Sequence, residues 1–190
     1  NCRELFKMLV GISGPSSSGK GTVLYDLESF GVQVIQNRYA RTLLKEKNLT
    51  VDELYQKSFN EIKQFHIQLV EFKDKHERPF IQTPTQVLVE RTFIDFYVYM
   101  TTQTGIEDLE FLALCTKKTH EFYRSIVYLN QCPIIEDDGV RIVSEERINN
   151  QKNLFETIWS HSEFTNKVLR VPQMKRSERT SEIISYLKGL

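Results

Sequence analysis

The sequence predicts an α/β fold: one mostly parallel, five-stranded sheet flanked by helices on both faces. Three observations predict it. Short apolar runs recur along the whole chain, separated by segments of helical periodicity. That alternation is the pattern of strands joined by crossover helices. The first apolar run ends in a glycine- and serine-rich turn that opens directly into a helical segment.

Each element follows from local residues. Lys7 to Ser13 (KMLVGIS) is apolar and stops at Gly14 and Pro15, which reads as a buried strand and a turn. From Gly19 to Phe30 the apolar residues Val23, Leu24, Leu27 and Phe30 keep helical spacing, and Gly31 is placed to end that helix. Val32 to Ile35 is a second strand, and Arg38 to Lys47 a charged helical segment. Val51 to Lys75 reads as one long amphipathic helix with Leu54, Phe59, Ile62, Phe65, Leu69, Val70 and Phe72 on its apolar side. Val87 to Glu90 is a third strand, followed by helices over Phe93 to Thr104 and Ile106 to Tyr123. Ile126 to Leu129 is a fourth strand, Pro133 to Ser144 a loop rich in acid, and Glu145 to Ser160 a helix. Lys167 to Val171 is the fifth strand, and Ser177 to Leu187 the last helix.

A chain of 190 residues without linker, repeat or low-complexity tract is expected to form a single domain over 1–190. The formal net charge is +0, so no global field draws the protein to nucleic acid or to an acidic membrane, although a local basic groove would suffice for either. Cys2, Cys115 and Cys132 make neither a CxxC pair nor a zinc spacing and read as reduced thiols in a cytoplasmic protein. His66, His76 and His161 lie in polar stretches and, with His120, call for no special role. No apolar run has the length of a membrane span, and no signal peptide is evident. Asn1 is not a natural start, so a trimmed chain is expected.

The chemistry begins at GISGPSSSGKGT. Gly14, four residues, Gly19 and Lys20 have the spacing of a phosphate-binding loop, set between a strand and a helix as that motif requires. Glycines let consecutive N–H groups of Ser16, Ser17, Ser18 and Gly19 turn toward phosphate oxygens, and the helix start adds its positive end. Lys20, expected at the exposed mouth of the loop, can reach the β- and γ-phosphates of ATP. The residue after the lysine is Gly21, which has no hydroxyl for Mg²⁺. Thr22 is the next hydroxyl available to phosphate or metal, and a carboxylate elsewhere must share the metal.

VLVERTFID places Glu90 and Arg91 at the carboxyl end of the third strand, where open α/β sheets bind ligands. Glu90 can hold metal-bound water or an acceptor hydroxyl, and Arg91 can fork a phosphate. The plainer alternative is a surface ion pair. Asp95, one helical turn on, is a second candidate acid, or simply a first-turn acid favoured by the helix dipole.

Together Gly14 to Thr22, Glu90-Arg91-Thr92 with Asp95, DDGVR and SEER resemble the P-loop kinases related to ribosylnicotinamide kinase, with deoxynucleoside and thymidylate kinases as cousins. The resemblance runs from Met8 to Leu187. It implies a lid at about 133–147 that closes over ATP, with Arg141 and Arg147 matching the lid arginines. Arg147 could equally be a helix-start arginine paired with Glu145 or Glu146. Relatives often carry Glu-x-x-Arg at the exit of the second strand, the acid serving as base for the acceptor hydroxyl. Here NRYAR puts Arg38 in the acid's place and Arg41 in the arginine's. An arginine is no base. Either Glu90 or Asp95 takes that task, or the acceptor is anionic and Arg38 and Arg41 bind its phosphate.

The expectation is a phosphotransferase moving the γ-phosphate of ATP, with Mg²⁺, to a nucleoside- or nucleotide-class acceptor that bears a phosphate. Some phage relatives phosphorylate hydroxymethylated pyrimidines in DNA, which makes modified-base DNA the alternative acceptor. A nucleotide-dependent switch is a third reading, and it requires an exposed apolar docking face.

Overall fold

The computed structural model describes residues 9–36, 38–130 and 144–190. Five strands form one parallel sheet: β1 (Leu9–Ser13), β2 (Gln33–Ile35), β3 (Val87–Glu90), β4 (Ser125–Leu129) and β5 (Val168–Val171), in the order β2-β3-β1-β4-β5. All its pairings are parallel. The fold expected from the sequence is therefore the fold found.

Eight α-helices are described: α1 (Lys20–Ser29), α2 (Tyr39–Glu46), α3 (Val51–Tyr55), α4 (Phe59–Glu77), α5 (Phe93–Thr104), α6 (Leu109–Phe122), α7 (Glu145–Trp159) and α8 (Arg176–Lys188). Strand residues divide between two cores. Leu9, Val87, Val89, Ile126 and Tyr128 pack with α4, α5, α6 and α7 on one face. Val10, Ile12, Leu88, Val127 and Leu129 pack with α1 and α8 on the other. Adjacent strand residues face opposite ways, so strands that are apolar throughout need a helical layer on each side.

The single helix expected over Val51 to Lys75 is two helices. Thr50 and Ser58 each close a capping box, with Glu53 and Glu61 reaching back to the cap backbone. A second N-cap inside an apolar stripe ends one helix and starts another, because the Ser58 hydroxyl takes a backbone N–H that helix would otherwise bury. The helix expected from Ile106 starts instead at Leu109, where the Asp108 carboxylate accepts the Phe111 N–H. Gly31 does end α1, at φ 82°, with Gly31 N–H donating to Glu28 O and Val32 N–H to Leu27 O.

Inside the larger core, Lys73 and Glu77 form a fully buried ion pair one turn apart on α4. Tyr39 and Tyr123 both donate hydroxyls to Glu77. Burial pushes Glu77 up and Lys73 down, each opposed by the charge of the other. Removing one partner of such a pair strands a buried charge at a cost of about 3–5 kcal/mol. The network fixes the start of α2 through Tyr39, and so the position of Arg41 half a turn later. The loop expected over Pro133 to Ser144, with Arg141, lies outside the described residues up to Ser144, as do Cys2 and Cys132.

Candidate active site

The loop from Gly14 to Gly19 leaves β1 at the carboxyl edge of the sheet and enters α1. Gly14 adopts φ 151°, and a Cβ there would lie 2.5 Å from Leu129 O, so the close passage of the loop over β4 requires glycine. Gly19 sits at φ 80°, with the Arg179 guanidinium 3.0 Å from where its Cβ would be. Arg179 also donates to Ser18 O, which braces the loop from α8. A Cβ on Gly21 would meet nothing within 4 Å, so packing does not require glycine there. Thr22 is exposed on the first turn of α1.

Lys20 is 6% exposed rather than standing at an open mouth. Its ammonium folds back to donate to Gly14 O and Pro15 O, both at 2.7 Å, and to Ser18 Oγ at 3.2 Å. Those carbonyls satisfy a charge that would otherwise be poorly solvated in the loop.

Glu90 ends β3 in register with Ile12 of β1, half-buried beside the loop. Arg91 follows with φ 64°, its N–H donating to Ile12 O at 2.7 Å. This left-handed step turns the chain sharply, so that the Arg91 guanidinium lies 5.3 Å from the Tyr99 ring. Thr92 then caps α5, and Asp95 completes the capping box. Asp95 is fully buried. Its Oδ2 accepts from Ser13 Oγ, Thr92 N–H and Thr92 Oγ1, each at 2.8 Å. Burial raises its carboxyl above the usual range, against the nearby Lys20 charge. Its Oδ1 has no hydrogen-bond partner among the described residues.

Next to the loop opens a cavity of about 160 Å³. Ser16, Arg41, Arg91, Tyr99 and Arg147 supply its polar lining. Leu54, Phe65, Leu69 and Phe96 form an apolar floor. Sequence-predicted residues from three separate segments, Arg41, Arg91 and Arg147, thus share one cavity. Arg38 caps α2 and is exposed, donating to Gln36 at 3.3 Å, and is not among the cavity lining.

Tyr99, Arg179, Tyr55 and His66 are among the contributors that sequence reasoning missed. Tyr99 donates its hydroxyl to Gly14 O at 3.0 Å, and its place four residues after Asp95 was the signal. Arg179 gave no signal beyond its charge. Tyr55 and His66 meet at 3.5 Å in the cavity wall. His66, which the sequence places in a polar stretch, is buried because α4 turns it inward beside Phe65 and Phe111.

Burial pushes His66 down to about 3 from the ordinary 6.5. The folded protein therefore refuses a proton that the unfolded chain accepts below about pH 6.5. Stability should fall as pH drops from about 6.5 toward 3, and this contribution is intact above that window. His66→Gln is expected to make the acid-side decline of Tm shallower between pH 7 and 4.5. Parallel Tm-versus-pH curves for the variant and the wild type would contradict this.

Among the described residues, no group of three or more His, Cys, Asp or Glu could hold a metal ion. Nor is any described helix long and apolar enough to cross a membrane.

A family profile described as an AAA domain matches residues 9–179. No curated protein sequence matches the chain. Among solved structures, a deoxyadenosine kinase from M. mycoides, bound to dCMP and dCDP, is similar at 12% identity and TM-score 0.66, over 96% of this chain and 100% of that one. NadR in complex with NAD and AMP-PNP aligns at 17% identity and TM-score 0.71. It covers 99% of this chain, which spans only 51% of the NadR chain. A thymidylate kinase from Ehrlichia chaffeensis aligns at 17% identity and TM-score 0.66, over 95% of this chain and 98% of that one. At these identities the likeness establishes the nucleoside- and nucleotide-kinase type of P-loop fold.

Proposed function

Since the chain belongs to the AAA domain family, we propose that this member is an ATP-dependent phosphotransferase whose acceptor is a nucleotide-class molecule bearing a phosphate. The observation that carries the reading is the arginine-lined cavity joined to the phosphate loop at Ser16. A purely nucleotide-binding protein needs the loop alone. A second, adjacent site combining an apolar floor with three guanidinium groups suits a planar ring with an anion attached. The solved structures similar in fold, a deoxyadenosine kinase and a thymidylate kinase among them, support the same reading.

In this mechanism the N–H groups of Ser17, Gly19 and Lys20 and the start of α1 hold the triphosphate, the Ser18 N–H being engaged by Pro15 O. Lys20 leaves Gly14 O and Pro15 O for the β- and γ-oxygens. An acceptor oxygen attacks the γ-phosphorus as the bond to the β–γ bridging oxygen breaks, and ADP departs with that oxygen. Arg91 and Arg147 face the charge spread over the transferring oxygens, and Arg41 binds the acceptor phosphate, with Arg38 at the outer rim. An ionised phosphate acceptor has no proton to lose. For a hydroxyl acceptor, Glu90 is the better base, because three donors already engage one oxygen of the buried Asp95.

The oxygen donors fit Mg²⁺, a hard cation that keeps several waters: the carboxylates of Glu90 and Asp95, the latter with its buried Oδ1 unpartnered, and the Thr22 hydroxyl. The ion would neutralise phosphate charge there. Glu90→Gln is accordingly expected to lower turnover by about 10²-fold and to leave ATP affinity nearly unchanged. Steady-state rates across Mg²⁺ concentrations check this, and an unaltered turnover and metal dependence would remove Glu90 from the site.

The test of the whole reading is γ-labelled ATP offered with free nucleosides, nucleoside monophosphates and DNA carrying hydroxymethylated pyrimidines. Label transferred to a monophosphate is the expected result. Label on a DNA base would move the assignment to a DNA-modifying kinase, and label released only as inorganic phosphate would make the protein a nucleotide switch.

A further inference from the structure

One buried polar side chain beside the phosphate loop has no part in the mechanism above. Gln151 lies on α7 and is fully buried. Its Oε1 accepts the Ser16 N–H at 2.8 Å. That bond fixes the orientation of the carboxamide, because an N–H donor must face the oxygen and not the nitrogen. The donor half, Nε2, is then the atom left over, and it is buried with no hydrogen-bond partner among the described residues. A buried donor of this kind is costly unless a ligand completes it.

Its surroundings indicate which ligand. Nε2 shares one carboxamide with the atom that grips Ser16, so it lies beside the first turn of the loop. Ser16 is also the loop residue that opens into the arginine-lined cavity. Lys20 and Gly19 mark the opposite end of the loop, where α1 begins. Arg147, four residues before Gln151 and on the same side of α7, lines that cavity too. A group held between the loop and the cavity is the one being passed from donor to acceptor.

We propose that Gln151 is a contact to the transferred phosphoryl group, holding the Ser16 N–H with Oε1 and donating from Nε2 to a terminal phosphate oxygen. The Ser16 N–H is thereby relayed across a carboxamide instead of meeting phosphate itself. The inference deepens the phosphotransferase reading and rests on it. It further implies that α7 registers whether the loop holds a triphosphate or a diphosphate.

The experiment compares binding of ADP and of the non-hydrolysable β,γ-imido analogue of ATP by calorimetry, for the wild type, Gln151→Glu and Gln151→Met. Gln151→Glu keeps an acceptor for the Ser16 N–H but replaces the donor with an acid. It should weaken the triphosphate analogue about tenfold or more and change ADP by less than about twofold. A carboxylic acid regains a donor when protonated, so the triphosphate deficit of this variant, measured against the wild type, should shrink as pH is lowered. Gln151→Met loses both halves without adding charge and should also lose selectivity for the triphosphate. It serves if the acid variant does not fold. Equal weakening of both nucleotides would reduce Gln151 to shaping the loop and overturn the proposal, as would unchanged affinities in both variants. A wild-type protein that binds neither nucleotide would overturn the phosphotransferase reading itself, and the proposal with it.

Discussion

Lys20→Met is expected to lower the turnover of phosphoryl transfer by about 10²-fold or more, while the thermal midpoint moves by no more than about 3 °C. The first half follows from charge. The terminal oxygens of the triphosphate carry the developing charge, and Lys20 is the loop's own cation for them. The second half follows from the partners it leaves behind. Without the ammonium, Gly14 O still accepts the Tyr99 hydroxyl and Pro15 O still accepts the Ser18 N–H. No loop carbonyl that Lys20 now serves is left bare, and methionine keeps most of the aliphatic packing of the stem. A single-turnover assay with a thermal melt on the same preparation separates the two effects. A variant that melts with the wild type and keeps near-normal turnover would show that the loop from Gly14 to Thr22 is not the phosphate cradle.

The sheet was legible because its strands are short apolar runs between helices that carry clear stop signals, as Gly31 does at the end of α1. The loop was legible because glycine spacing encodes backbone shape directly. Where the reading failed, the cause was a polar side chain acting on backbone inside an apolar stripe. Ser58 and Glu61 split a helix that hydrophobic periodicity alone joins, and Thr50 with Glu53 uses the same device at the start of α3. Both boxes stand in the sequence as TVDE and SFNE, so spacing could have revealed them. The site was legible where it is carried by motif and invisible where it is carried by long-range packing. Gln151 meets Ser16 across 135 residues, and Arg179 meets Ser18 across 161. No local pattern announces such a pairing; it follows from α7 and α8 packing on opposite faces of the sheet, with the middle of α7 and the first turn of α8 both meeting one loop.

Packing also ranks the arginines, and it ranks them differently from their order in the chain. Arg91→Lys is expected to lower kcat/KM by about 10²-fold, although it keeps the positive charge. Arg91 stands at φ 64°, so both residues bear the same backbone cost and the comparison isolates the head group. Its guanidinium faces the Tyr99 ring at 5.3 Å, and Tyr99 in turn is tied to Gly14 O. A planar fork over that ring keeps its cation–π contact and can present two parallel donors, whereas an ammonium on a flexible stem offers no planar fork and no two parallel donors. Arg41→Ala should act on a different quantity. It is expected to raise the acceptor KM about tenfold, the loss of one charge-assisted contact, with turnover and the ATP constant little changed. Arg38→Ala should do less, since its guanidinium stands outside the cavity on Gln36. Steady-state kinetics with both substrates varied would resolve the three. If Arg91→Lys stays within about threefold of wild type, the guanidinium is not at the transferring phosphate. If Arg38→Ala exceeds Arg41→Ala, the acceptor approaches over the start of α2 rather than through the cavity.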